Sequence, residues 1–184
     1  MHDIGITGYI YNCGDTHTAA FNELRNYLLC KLQWDVNCDV EYHMMDFMNA
    51  YYGEEAASYI KQIIDIQTAQ TKVSAHAFDF DWHYQAGFYP MNVAVALDGL
   101  WEKALTADIT EEQLFNVETA NLSWEYYKAN QFLDKYTILN PFRHKRIEEL
   151  YDSMKEHGIN KVSEFKEIPP KDEINFMQRP YNWG

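Results

Sequence analysis

Three polar side chains in the middle of the chain alternate as Asp79, Asp81 and His83, so on an extended backbone all would face one side. Two carboxylates and an imidazole can hold a divalent cation. Their spacing matches no specific metal signature, however, and a solvated polar edge of an aromatic loop is the reading adopted for them. No metal and no other cofactor is expected. The remaining histidines are scattered, without the H-E-x-x-H helix of zinc peptidases. Paired carboxylates come next, because glycosidic bond hydrolysis needs a proton donor and a nucleophile or base. The candidates are Glu54-Glu55, Glu111-Glu112 and Glu148-Glu149. Each falls in a predicted first helical turn or on a polar helix face, where the helix dipole favours negative charge. None is read as catalytic. A nucleophile elbow, a P-loop and a dinucleotide-binding glycine motif are absent from the sequence.

Two groups of residues suit ligand contact. Gly8 to Gly14 leads a predicted strand into a predicted helix, and in an α/β barrel such a junction lies on the catalytic face. Tyr9, Tyr11, Asn12 and Asp15 would then touch a ligand. The second group is Trp82, Tyr84 and Tyr89, in a stretch over 74–90 crowded with aromatic residues. Tyr and Trp combine a flat apolar face with a polar tip, which suits sugar stacking and core packing alike. The chain holds ten Phe, five Trp and fourteen Tyr, and core packing is the reading for most of them. Arg143-His144-Lys145-Arg146 is the basic cluster of the sequence. It opens a predicted helix, where the dipole disfavours cations, and neighbouring carboxylates are the expected compensation.

The elements that must position these residues are mainly helical. Ile4 to Tyr11 is short, β-branched and aromatic, and reads as one strand. A lone strand leaves its backbone unpaired, and no partner strand is visible nearby. Helix one follows, capped by Asp15 or Thr16, with Phe21, Leu24, Leu28 and Leu32 at helical spacing and an end near Trp34. Cys30 lies within this run and is expected to be a small core residue. Helix two is capped by Asn37 or Asp39, carries Val40, Met44, Phe47, Met48 and Tyr51 on one face, and stops at Gly53. Helix three buries Ala56, Ile60, Ile63, Ile64 and Gln67. A long aromatic loop over 74–90 breaks the rhythm, and loops of that length are often functional. Helix four uses Val93, Leu97, Leu100, Trp101 and Ala104. Helix five opens on Thr110-Glu111-Glu112-Gln113, a capping-box pattern, and buries Val117, Ala120, Trp124 and Tyr127. Helix six starts at Asn140-Pro141, carries Ile147, Leu150, Tyr151 and Met154, and ends at Gly158. The proline-containing remainder is expected to be extended. The fold class is therefore mainly α, a bundle of about six helices preceded by one short strand. The expected divisions are 1–14, 15–158 and an extended tail over 159–184.

Composition narrows the function classes. The chain has 184 residues and a formal net charge of −13. Such a surface repels phosphate backbones and anionic lipid, so neither nucleic acid nor a membrane surface is an expected partner. No window approaches the roughly 18 uninterrupted apolar residues of a membrane span. Met1 to Gly5 does not form the start of a signal peptide. Three cysteines, Cys13, Cys30 and Cys38, with no C-x-x-C pair indicate neither a disulfide framework nor a zinc knuckle.

The segment from Gly14 to Gly53 resembles part of a bacterial domain-of-unknown-function family. Its members have a glycoside-hydrolase-like (β/α)8 barrel, similar to α-glucuronidases and hexosaminidases, followed by a helical domain. The likeness rests on Glu23-Leu24-Arg25 with Tyr27, on Lys31-Leu32 with Trp34, and on Tyr51-Tyr52-Gly53. It covers about 40 residues clearly. The resemblance implies that 1–14 is a remnant of the last barrel strand and its loop, and that a C-terminal helical domain follows. It implies that Tyr9 to Asp15 line the rim of a sugar site completed by a barrel of the same polypeptide. It also implies a periplasmic or extracellular parent. No catalytic residue carries over, and this chain alone is not expected to catalyse hydrolysis. The expectation from another class is a stand-alone helical interaction module that forms a homo-oligomer or binds a protein partner.

Overall fold

The computed structural model describes residues 20–73, 89–131, 143–163, 166–168 and 170–171 of this chain. The strand read over Ile4 to Tyr11, and Tyr9, Tyr11, Asn12, Asp15, Asp79, Asp81, His83, Trp82 and Tyr84, lie outside the described residues. Among the described residues the fold is mainly α, as the helical periodicity requires. The six helices are α1 (Asn22–Trp34), α2 (Val40–Tyr52), α3 (Glu54–Val73), α4 (Met91–Leu105), α5 (Glu111–Gln131) and α6 (Arg143–Glu156). A short antiparallel hairpin follows, with β1 (Lys161–Ser163) paired to β2 (Lys166–Glu167). The tail after Gly158 was expected to be extended. Its described part forms this hairpin of two extended strands, whose end is tied by Ile168 N–H donating to Asn160 O at 2.9 Å.

The main core is built by α1 to α5, and α3 packs most extensively on α4. The α3–α4 seam includes small side chains: Ala56 and Ala57 of α3 and Ala94 and Ala104 of α4 belong to one buried cluster with the fully buried Ile60, Ile63 and Leu97. Each of the large aliphatics contributes roughly 1.5–3 kcal/mol through its removal from water. Val117, Ala120, Trp124 and Tyr127 extend the cluster along α5, as their spacing predicts. Helix α6 packs on α5 through the buried Ile147 and Met154, outside the main cluster.

Local signals set most helix ends. Asp39 caps α2, its Oδ1 accepting from Tyr42 N–H at 3.0 Å. Gly53 closes α2 with φ 83°, ψ 148°, a conformation essentially restricted to glycine. Its N–H donates to Asn49 O, and its own carbonyl accepts from Ala57 N–H, so one residue ends α2 and begins α3. Helix α5 opens on a reciprocal capping box: Gln113 N–H donates to Thr110 Oγ1 at 3.2 Å, and Thr110 N–H to Gln113 Oε1 at 3.1 Å. After α6, Gly158 adopts φ 72°, with Ile159 N–H donating to Met154 O and Gly158 N–H to Lys155 O. This pair of bonds is a Schellman motif.

Three expectations are corrected. Helix α1 begins at Asn22, and its N-cap is Phe21, left-handed at φ 56°, in place of Asp15 or Thr16. The Phe21 ring stacks on Trp101 at 6.2 Å and 4°, a contact that helps hold the strained backbone. Cys30 is exposed. It stands six residues after the buried Leu24, about 240° around the helix and so off the buried face. On α2 the fully buried aromatic is Tyr52, whereas Tyr51, assigned to the inner face, is only half-buried.

Candidate functional site

Among the predicted ligand contacts, Tyr89 is the residue the structure describes. It sits just before α4, half-buried, and meets Trp124 at 5.5 Å and Tyr127 at 5.1 Å, both edge to face. Its backbone N–H donates to the Tyr127 hydroxyl at 3.4 Å. Trp124 and Tyr127 stack on each other at 5.3 Å. Tyr89 therefore ties the end of the aromatic segment to the α4–α5 seam through ring packing.

That seam carries a polar cluster with no local signal in the sequence. Asp98 Oδ1 accepts from the buried Trp124 Nε1–H at 2.8 Å and from Lys128 Nζ at 2.7 Å. Lys128 also pairs with Glu125 at 2.8 Å and lies over the Trp124 ring. The indole N–H would be costly to bury unpaired, and a charged acceptor suits it. The partners stand 26 and 30 positions apart, so only packing of α4 on α5 brings them together.

A second aromatic group lines α1 and α2. Tyr27 meets Phe47 at 5.1 Å, Phe47 stacks on Tyr51 at 5.0 Å, and Tyr51 meets Tyr52 edge-on at 5.0 Å. Tyr27 donates its hydroxyl to Asp46 Oδ2 at 3.3 Å, and Lys31 lies over its ring. These rings cover one another to a large extent, the arrangement expected of packing. Burial first, then the carboxylates of Glu23 and Glu112, push the Tyr51 phenol up from its ordinary value. Burial, with Glu23 and Tyr51, pushes Tyr52 up further.

The carboxylate pairs occupy the places their helix positions assign. Glu54-Glu55 and Glu111-Glu112 stand in the first turns of α3 and α5. Glu55 Oε2 accepts from Asp108 N–H at 2.9 Å, and so holds the α4–α5 connection to α3. Lys61 is held above its ordinary value by its hydrogen bond to Asp65, with Glu41 adding to it. In the basic cluster, Lys145 pairs with Glu149 at 3.5 Å, one helical turn on. At the end of α6, His157 Nδ1 lies 2.6 Å from Thr119 Oγ1, and its ring stacks on Phe115 at 4.2 Å. Thr119 donates to Phe115 O, so its lone pair is left to accept from His157.

Among the described residues no group of three or more His, Cys, Asp or Glu side chains could hold a metal ion. Among them, too, no helix is long and apolar enough to cross a membrane. Among the described residues an open groove lies between α1 and α3. It is lined by Phe21, Leu24, Leu28, Leu32 and Ile64, with Arg25, Gln67, Thr68 and Thr71 contributing polar groups. It offers apolar surface and no catalytic constellation.

No curated protein and no solved structure matches the chain. Residues 2–65 match a family described as a domain of unknown function (DUF4838). The matched stretch runs from before α1, through α2, and into α3 as far as Asp65. Over 2–65 the chain is thus similar to a domain-of-unknown-function family, and that stretch contains the residues on which the resemblance above was drawn.

Proposed function

We propose that this chain is the C-terminal helical accessory domain of a carbohydrate-active glycoside hydrolase, bracing a barrel in the same polypeptide and helping to shape its sugar site. The observation that carries the reading is the resemblance at Glu23-Leu24-Arg25, Lys31-Leu32 and Tyr51-Tyr52-Gly53, which falls inside the family match over 2–65. In this reading 1–14 is the barrel remnant, the chain alone catalyses nothing, and the parent acts in the periplasm or outside the cell. Tyr9, Tyr11, Asn12 and Asp15 lie at the rim of the sugar site, and Trp82, Tyr84 and Tyr89 supply stacking surfaces. Glycan titration of the separate chain tests the sugar contact. Weak binding that falls in Trp82→Ala and Tyr84→Ala is expected, whereas binding indifferent to both, or none, removes the sugar-contact part. Sequencing upstream in the natural gene tests the accessory role, and a reading frame that holds no barrel ends it.

The second reading is a stand-alone interaction module that self-associates or binds a protein. The apolar groove between α1 and α3 favours it, together with Trp34, which is 94% exposed at the end of α1. Sedimentation of the purified chain distinguishes the two. A monodisperse monomer at all concentrations rejects self-association.

A further inference from the structure

We draw no further inference here: the strongest candidate, the open apolar groove between α1 and α3 lined by Phe21, Leu24, Leu28, Leu32 and Ile64, has nothing in the structure to show what covers it.

Discussion

Gln113 donates from Nε2 to the carbonyl oxygen of Ala50 at 3.2 Å, joining the first turn of α5 to the last turn of α2. The last carbonyls of a helix have no partner within it. Here Gln113 satisfies one, and Asn116 Nδ2 satisfies the next by donating to Tyr51 O at 3.0 Å. Gln113 also completes the capping box of its own helix through Oε1. One carboxamide therefore caps two helices. Gln113→Ala should cost about 1–2 kcal/mol in urea unfolding. Gln113→Glu keeps the acceptor and loses the donor to Ala50, so a smaller loss is expected. Equal losses in both variants would show that the link to α2 carries the whole effect.

Gly53 lies beneath the same side chain. A Cβ at Gly53 would collide with Ile109 Cγ2 and lie 2.9 Å from Gln113 Oε1. Its backbone conformation adds strain for any residue with a side chain, about 1–3 kcal/mol. Gly53→Ala should therefore lower Tm clearly, by roughly 2–4 °C for each kcal/mol in a chain of this size. Gly99→Ala is the control. Gly99 sits within α4 with nothing near its missing Cβ, so helix propensity should make that change neutral or stabilising. Calorimetry of the two variants side by side checks the contrast.

Asp98 is the partner of a buried indole. Asp98→Ala leaves Trp124 Nε1–H without this acceptor, and a loss of about 1–3 kcal/mol is expected in denaturant unfolding followed by tryptophan fluorescence. Lys128→Met removes the ion pair with Asp98 while keeping most of the aliphatic stem. Its expected cost is about 0–1 kcal/mol, as for ion pairs open to solvent on one side. If the lysine change costs as much as the aspartate change, the ion pair and not the indole bond holds this seam.

Tyr52 makes alkaline stability depend on pH. Its phenol is raised from 10.0 by burial, so the folded chain keeps the proton to higher pH than the unfolded chain does. The unfolded state therefore loses protons first as pH rises. Tyr52's contribution is fully present below about 10 and is lost above it. Ultraviolet titration should show late-ionising phenols that merge with the others on unfolding. Tyr52→Phe should flatten the fall in stability above that pH, and an unchanged slope would refute the assignment.

Much of the helical framework is legible in the sequence because its signals are local. Asp39, Gly53, Thr110 with Gln113, and Gly158 mark helix ends through bonds that span six residues or fewer. The 3.6-residue period likewise identifies Leu97, Trp101, Val117 and Trp124 as core, since one face of each helix must leave water. The candidate site was much less legible. The sequence offers aromatics in abundance, but whether a ring stacks on a ligand or on another ring depends on what faces it. For Tyr89, the rings that face it belong to Trp124 and Tyr127, more than 30 positions away.

The sequence by itself determined where most helices stop and which stripe of each is apolar, because capping and periodicity act within a few turns of one chain segment. Tertiary structure decided that Tyr52 rather than Tyr51 is enclosed, that Cys30 faces solvent, that Phe21 takes a left-handed backbone against Trp101, and that Gln113 reaches Ala50. Each of these depends on the approach of a second helix, and the direction of that approach is set by the collective fit of side chains that no single segment encodes.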